Sequence, residues 1–279
     1  MTITPDITYT STFTFKDGQT ISRLGYGAMR LTGQPGNYGP YEDWAGGKRL
    51  LRQTQALGYG HIDTARAYGP HDNERLIGEA FKGFAASERP FIASKGGIDK
   101  TGRGAAFIKA DGRPQALSRH VDESLTALQR DVIDLYYLHR PDPAVPLEDS
   151  IGALLDAQQA GKIARIGVSN VTLDQLKRAQ GVAQIDAVQN RYNIAEGGDE
   201  ELLDYTAQQG IAFVPWGPLA AKPLVHGAPL ANARSTEEGF TAPQSALRAL
   251  LNRAPNILPI PGTTTITHLV ENAGSIESL

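Results

Sequence analysis

Short apolar runs and segments of helical periodicity alternate along almost the whole chain. Eight apolar runs have the length of buried strands, at residues 24–29, 60–64, 90–95, 133–139, 163–169, 185–190, 211–216 and 256–260. Seven helical segments lie between them, at residues 45–57, 73–83, 114–128, 147–160, 173–181, 200–209 and 241–252. Strands that alternate with helices indicate a parallel sheet in which each helix connects one strand to the next.

Two local signals add detail to this pattern. Residues 8–22 alternate apolar and polar positions about Asp17-Gly18, a pair that suits a tight turn, so a β-hairpin is predicted before the first strand. Helices often end in a left-handed residue, and glycine adopts that conformation at the lowest cost. Five glycines lie at or just past the ends of helical segments and are predicted to end them: Gly58, Gly83, Gly161, Gly181 and Gly210.

Eight strand–helix units in 279 residues predict an α/β fold, a single (β/α)8 TIM barrel over residues 1–279 with the N-terminal hairpin closing its bottom. The alternative is an open, doubly wound sheet. Residues 25–30, with the sequence GYGAMR, lack the third glycine of the dinucleotide-binding motif of such sheets and do not lead directly into a helix. The barrel is therefore the favoured fold.

Composition restricts the function. With 27 Lys and Arg against 30 Asp and Glu, the net charge is -3, so no nucleic-acid partner is expected. The chain has no cysteine, which excludes thiolate metal sites, iron–sulfur clusters and a cysteine nucleophile, and no metal is expected. The first residues do not resemble a signal peptide, and no apolar run approaches the ~18 residues of a membrane span. We expect a soluble cytoplasmic protein with no membrane partner.

Polar residues end successive predicted strands, where a barrel builds its active site. Asp63, Lys95 and His139 end strands two, three and four, and Tyr68 follows Asp63 by five positions. Each has an ordinary explanation when taken alone: a helix cap or ion pair, a solvated lysine, a core histidine. In a barrel, however, they would point into one mouth. A buried lysine is costly unless it is paired, so the cluster is a candidate catalytic site.

Tyr68 is the candidate proton donor of this cluster. An adjacent Lys95 ammonium stabilises the phenolate, so we expect it to lower the pKa of Tyr68 toward neutrality. Asp63 would in turn keep Lys95 charged and oriented.

These motifs resemble those of the aldo-keto reductases, in particular a bacterial branch that includes pyridoxal reductases. The resemblance rests on GYGHIDTARAYG at residues 58–69, Lys95, DLYYLH at 134–139, GVSN at 167–170, Gln189 and IPGTT at 260–264, in the family's order. It implies a catalytic tetrad of Asp63, Tyr68, Lys95 and His139. Tyr68 would exchange the proton at the substrate oxygen, and His139 would orient the carbonyl. The implied reaction is NADP(H)- or NAD(H)-dependent reduction of an aldehyde or ketone to an alcohol.

The resemblance also implies the cofactor contacts. Ser169, Asn170 and Gln189 would hold the carboxamide, and Trp216 would stack on the nicotinamide. The phosphates would approach Gly217, Leu219, Gly262, Thr263 and Thr264, and the adenine would approach Asn272. Glycine and threonine after the eighth strand independently suit a barrel phosphate site.

Gly262 and His268 depart from the family pattern. Many NADPH-preferring relatives carry lysine and arginine at these two positions, and the resemblance would place His268 where that arginine contacts the 2′-phosphate of NADP. The choice between NADPH and NADH therefore stays open.

Two other functions are open at this stage. One is a Schiff-base lyase that uses Lys95 as its amine, although a lysine paired with Asp63 is a poor nucleophile. The other is a non-catalytic, regulatory subunit that senses the cofactor.

The substrate of the reductase would be a small carbonyl compound. Tyr38, Tyr41 and Trp44 follow the first strand and suit the face of a flat ring or a sugar, so pyridoxal is the first choice and another aromatic or sugar aldehyde the second. The oligomeric state is left open.

Overall fold

The computed structural model describes residues 11–219 and 239–276. Its first element is an antiparallel hairpin of β1 (Thr12–Thr14) and β2 (Thr20–Ser22). The turn contains Gly18 with φ of 89°, a left-handed conformation that favours glycine. The predicted hairpin is thus confirmed over residues 11–22, and the predicted residues 8–10 lie outside the described part.

Seven parallel strands form one curled sheet. In chain order they are β3 (Gly25–Gly27), β4 (His61–Asp63), β5 (Phe91–Gly96), β8 (Leu135–Leu138), β9 (Ile166–Ser169), β10 (Ala187–Gln189) and β11 (Ala212–Phe213). The antiparallel pair β6 (Ile98–Lys100) and β7 (Ile108–Ala110) stands outside this sheet and was not predicted. Neighbours in the sheet are also neighbours in chain order, from β3 at one edge to β11 at the other.

The eighth predicted strand closes the sheet into a barrel without forming a regular strand of its own. Phe213 of β11 exchanges backbone hydrogen bonds of 2.8 Å with Asn256 and Leu258. On the other side, both glycines of β3 donate to the carbonyls of Pro259 and Pro261, at 2.9 and 3.3 Å. Proline has no N–H to donate in return, so the ladder to β3 stays incomplete. The predicted (β/α)8 barrel is confirmed, with this irregular closure.

Eight α-helices surround the sheet in the described ranges. They are α1 (Trp44–Ala56), α2 (Asp72–Ala80), α3 (Pro114–Leu128), α4 (Leu147–Gln159), α5 (Leu173–Gln180), α6 (Glu200–Gln209), α7 (Ala242–Arg253) and α8 (Ile266–Ala273). Seven match the predicted segments to within three residues, and α8 is an addition. Within the described residues, no helix is long and apolar enough to cross a membrane.

The predicted helix-ending glycines are confirmed at three of five positions. Gly58, Gly161 and Gly210 lie just past α1, α4 and α6, with φ between 65° and 76°. Gly83 also has a left-handed φ of 85°, but α2 already ends at Ala80. The prediction is wrong for Gly181, whose φ is -67°. Its N–H donates to carbonyls of the last turn of α5, so the chain continues in a right-handed turn there.

The hairpin fills the bottom of the barrel. Phe13, Phe15 and Ile21 pack in one cluster with inward residues of the strands, among them Leu135 and Ala187. A second apolar layer lies between the sheet and the helices. The interior at the amino ends of the strands is therefore mostly apolar, with the buried His61 as a polar exception beside Phe91. The buried pair of Asp63 and Lys95 lies at the carboxyl ends.

Candidate active site

A buried ion pair lies at the centre of the barrel mouth. Lys95 Nζ donates to Asp63 Oδ1 at 2.6 Å and to the carbonyl of Thr64 at 2.7 Å. Gln189 Nε2 donates to the other carboxylate oxygen of Asp63 at 2.7 Å. Asp63 and Lys95 are only 2% and 1% exposed. Each charge thus has the partners that burial requires.

Tyr68 and His139 lie beside this pair. The Tyr68 hydroxyl is 3.5 Å from Lys95 Nζ, and the ammonium also lies 5.1 Å from the centre of the Tyr68 ring. The rings of Tyr68 and His139 meet edge to face, with centroids 6.0 Å apart. The structure therefore brings the four predicted residues into one cluster.

The pKa of Tyr68 is raised from its ordinary value, so the predicted downward shift is wrong. Burial of the phenol raises the pKa, and this effect exceeds the opposing effect of the Lys95 ammonium. For Lys95, burial lowers the pKa, but Asp63 and Tyr68 outweigh it and the net shift is upward. At neutral pH the site therefore holds a neutral phenol beside a charged ammonium.

His139 provides a neutral imidazole next to the phenol. Its pKa is lowered well below the ordinary value, first by burial and then by Lys95 and Arg140. Its Nδ1 atom is buried with no hydrogen-bond partner in the described part of the chain. The backbone is fixed from both sides, because His139 N–H donates to Gly96 and its carbonyl accepts from Asn170, at 2.8 and 3.1 Å.

The residues expected to contact the nicotinamide differ in their exposure and in their hydrogen bonds. Ser169 is buried and Asn170 is exposed, with a left-handed φ of 58°. The Asn170 amide nitrogen also donates to Ser169 Oγ at 3.0 Å, and its oxygen accepts from the Trp216 indole at 3.2 Å. Gln189 is buried and holds Asp63, a contact that the sequence did not predict. Trp216 is half-buried at the mouth.

The residues expected at the phosphates lie around the ends of β11 and the closing segment. Gly217 has a left-handed φ of 68°, Leu219 is half-buried, and Gly262 and Thr264 are exposed. A Cβ on Gly262 would lie 2.7 Å from the carbonyl of Gly27, so barrel closure itself requires glycine there. Thr263 is buried, and its hydroxyl accepts from the N–H of Thr265 at 3.1 Å.

The last two predicted cofactor residues lie on α8. His268 is exposed in the first turn, where its N–H donates to Thr265 Oγ1 at 3.3 Å. Asn272 lies in the last turn and is only 4% exposed. Most of its side chain is therefore packed inside the protein.

The aromatic residues after β3 do not all face the mouth. Trp44 Nε1 donates to Glu79 at 2.8 Å, and the Arg75 guanidinium lies 5.3 Å from the Trp44 ring. Trp44 therefore packs against α2, and its contact with a flat substrate stays a prediction. Tyr38 is half-buried, and its hydroxyl donates to the Thr101 carbonyl at 3.3 Å.

Two buried charged residues beside the cluster were not predicted. Arg66 is 8% exposed in the loop that carries Tyr68, and Glu74 is fully buried on α2. Charged residues just before and within a helix are usually solvated, so the sequence carried little signal for either. The one available hint was the position of Arg66 between Asp63 and Tyr68.

Known proteins of one family are similar to this chain over most of its length. The model of the Aldo/keto reductase family matches residues 23–279. Pyridoxine 4-dehydrogenase of Escherichia coli strain K12 is 40% identical over 260 residues, which cover 91% of this chain and 89% of that protein. An uncharacterised oxidoreductase of Schizosaccharomyces pombe is 37% identical over 255 residues, which cover 90% of this chain and 80% of that protein.

A solved structure is also similar. The aldo/keto reductase of Klebsiella pneumoniae in complex with NADP and acetate superimposes with a TM-score of 0.77 at 26% identity, covering 96% of this chain and 90% of that one.

Proposed function

The chain belongs to the aldo/keto reductase family, and on that premise we propose that it reduces an aromatic aldehyde of the pyridoxal class to the alcohol, with NADPH as the preferred cofactor. The observation that carries the proposal is the neutral Tyr68 phenol next to the buried Lys95–Asp63 pair. The similarity to pyridoxine 4-dehydrogenase supports the substrate class.

The residues around the mouth fit a dinucleotide cofactor. Exposed Gly262 and Thr264 offer backbone and hydroxyl groups close to the first turn of α8, where unpaired N–H groups suit phosphate. Trp216 offers a flat, half-buried ring at the mouth. NADPH bound there supplies the hydride that the carbonyl carbon needs. Ser169, Asn170 and Gln189 would hold the carboxamide end, and His268 and Asn272 the adenosine end.

The four clustered side chains divide the remaining work. As the carbonyl carbon gains the hydride, the Tyr68 hydroxyl donates its proton to the carbonyl oxygen. Lys95, kept charged by Asp63, stabilises the phenolate that Tyr68 becomes. The neutral ring of His139 orients the carbonyl by hydrogen bonding to its oxygen. In the direction of alcohol oxidation, the same groups take up the proton.

The same contacts disfavour a Schiff-base lyase. Such an enzyme needs a neutral amine as nucleophile. Lys95 Nζ instead donates to Asp63 and Thr64, and its pKa is raised, so the nitrogen is protonated and its lone pair is occupied. Within residues 11–219 and 239–276, no specific contact favours a regulatory, non-catalytic role.

An aldehyde panel tests the proposal. The purified protein is incubated with pyridoxal, benzaldehyde or a sugar aldehyde, with NADPH or NADH, and the loss of nicotinamide absorbance is followed. We expect the highest kcat/KM for pyridoxal with NADPH, and a kcat about 100- to 10,000-fold lower with Tyr68→Phe. If no aldehyde is reduced with either cofactor, the proposed reaction is wrong. If another aldehyde is reduced better than pyridoxal, only the substrate assignment is wrong.

A further inference from the structure

We propose that Arg66 is a positioning residue that sets the place of the Tyr68 hydroxyl relative to Lys95. This inference rests on the proposed reductase function, because it assigns Arg66 to the proton-donating step. Arg66 does not belong to the cluster of four, and its guanidinium points away from the barrel mouth toward α3 and the segment after β5.

The guanidinium of Arg66 holds two elements at once. Its Nε donates to Glu123 on α3 at 2.5 Å. Its NH1 nitrogen donates to the Asp99 carboxylate at 2.8 Å and to the Ile98 carbonyl at 3.2 Å, both on β6. The Arg66 side chain is only 10% exposed. Charge-assisted contacts of this kind in a buried setting are the strong class of hydrogen bond.

The backbone of Arg66 connects this anchor to Tyr68. Arg66 N–H donates to the carbonyl of Lys95 at 3.1 Å, and its own carbonyl accepts from His71 N–H at 2.8 Å. The Tyr68 backbone is held between these points, since its N–H donates to Ala65 and its carbonyl accepts from Asn73. The flanking residues Ala65 and Ala67 have no polar side-chain group, so Arg66 is the polar anchor nearest to Tyr68 on its N-terminal side. Thr64, whose hydroxyl donates to Asn73 at 2.7 Å, is a second anchor at the start of the turn.

The position of the Tyr68 hydroxyl is sensitive to such an anchor. The hydroxyl lies 3.5 Å from Lys95 Nζ, at the outer limit of a hydrogen bond. A displacement of ~1 Å in a reacting group can cost ~100-fold in rate. Loss of the Arg66 anchor would let the turn shift and would separate the phenol from Lys95. The cofactor contacts lie on other strands, so cofactor binding would be little changed.

Without Arg66, the carboxylates of Asp99 and Glu123 would still lie near another basic side chain. Asp99 lies 3.4 Å from His120 Nε2, and Glu123 lies 3.5 Å from Arg119 Nε. Both carboxylates are also about one-third exposed, with side-chain values of 35% and 33%. An Arg66→Met variant, which keeps the length of an apolar stem, is therefore expected to fold.

The first measurement separates turnover from binding. For Arg66→Met we expect kcat for aldehyde reduction to fall ~10- to 100-fold, with the dissociation constant of NADPH, read from Trp fluorescence, nearly unchanged. Arg66→Lys keeps the charge but not the planar fork, so its kcat should fall between those of Arg66→Met and the wild type. The control is Arg178→Met, which removes an exposed arginine bonded to Glu148 and should leave kcat unchanged.

The second measurement asks whether Arg66 acts through Tyr68. In a Tyr68→Phe background there is no phenolic proton to place, so adding Arg66→Met should slow single-turnover NADPH oxidation by less than ~2-fold. Residues that act through one group are non-additive in this way. A merely structural role would instead slow both backgrounds by the same factor.

The outcomes separate this inference from the proposed function. Wild-type kcat in Arg66→Met, or equal slowing by Arg66→Met in both backgrounds, would overturn the role of Arg66 while leaving the reductase assignment intact. Failure of the wild-type protein to reduce any aldehyde would instead overturn the proposed function, and the inference with it. Non-additive loss of kcat with intact NADPH binding supports both.

Discussion

Replacement of Glu74 by glutamine should make the protein more stable at alkaline pH and should change the pH dependence of its stability. Glu74 lies on α2, fully buried behind β5. Its Oε1 accepts a hydrogen bond of 2.5 Å from the hydroxyl of Ser94, the residue that precedes Lys95. Its Oε2 has no hydrogen-bond partner among the described residues, and the nearest ring nitrogen, His71 Nδ1, is 3.9 Å away.

The size of this stability change follows from the pKa of the Glu74 carboxyl. Burial is the largest effect and raises the pKa of Glu74 from 4.5 to about 7, against the hydrogen bonds from Ser94 and Ser124 and the charges of Arg66 and Lys95. The folded state therefore keeps a proton that the unfolded state releases between these two values. The free energy of unfolding therefore decreases as pH rises from 4.5 to about 7. Above this range the loss of stability totals about 3 kcal/mol.

Urea unfolding of the wild type and Glu74→Gln, at about pH 5.5 and about pH 8.5, measures this cost by linear extrapolation. Glutamine is uncharged at both pH values. The difference in unfolding free energy between the two proteins should move by about 2 kcal/mol in favour of Glu74→Gln from the lower to the higher pH. Parallel pH dependences for the two proteins would refute the reasoning.

A control lies on the same helix. The pKa of Glu79 is lowered, first by its hydrogen bond from the Trp44 indole. Its stabilising effect is present above the unfolded-state pKa and is lost only at lower pH. Glu79→Gln should therefore be less stable than the wild type by the same amount at both pH values.

Three further changes test the site itself. Tyr68→Phe should reduce kcat about 100- to 10,000-fold with little change in NADPH affinity, measured by steady-state kinetics and a fluorescence titration. Lys95→Met should be comparably slow. Its free energy of unfolding in urea should also be about 3–5 kcal/mol lower, because the Asp63 carboxylate stays buried without its cation. Adding Asp63→Asn should restore stability but not turnover, and restored turnover would contradict the role of the ammonium. His268→Arg should raise the ratio of kcat/KM for NADPH over NADH tenfold or more, since a charged hydrogen bond contributes about 1.5–3 kcal/mol; an unchanged ratio would show that position 268 does not contact the cofactor.

The regular part of the fold was predictable because each strand and helix carries its own signal. The segments 114–128 and 200–209 were predicted with the bounds that α3 and α6 have. The closing segment could not be foreseen in the same way. Pro259 lies within the predicted run 256–260 and Pro261 directly follows it, and only the barrel shows that their carbonyls accept hydrogen bonds from β3. The pair β6 and β7 was missed because each strand has three residues and Ile98 is the one buried residue among the six.

The sequence predicts which residues belong to the candidate site when they lie at the end of a strand. It does not predict their pKa shifts, hydrogen bonds or burial, because these depend on neighbours that are distant in the chain. Asp63, Lys95 and His139 follow from strand ends, but the sign of the Tyr68 pKa shift depends on the balance of burial against one ammonium, which only coordinates reveal. The same holds for Gln189, whose amide nitrogen faces Asp63. Arg66 and Glu74 make the point most clearly, because charged residues in this sequence context are normally solvated. Here the backbone N–H of Arg66 donates to the carbonyl of Lys95, and the Glu74 carboxylate accepts from Ser94. Both charged residues are therefore buried along β5, next to the ion pair.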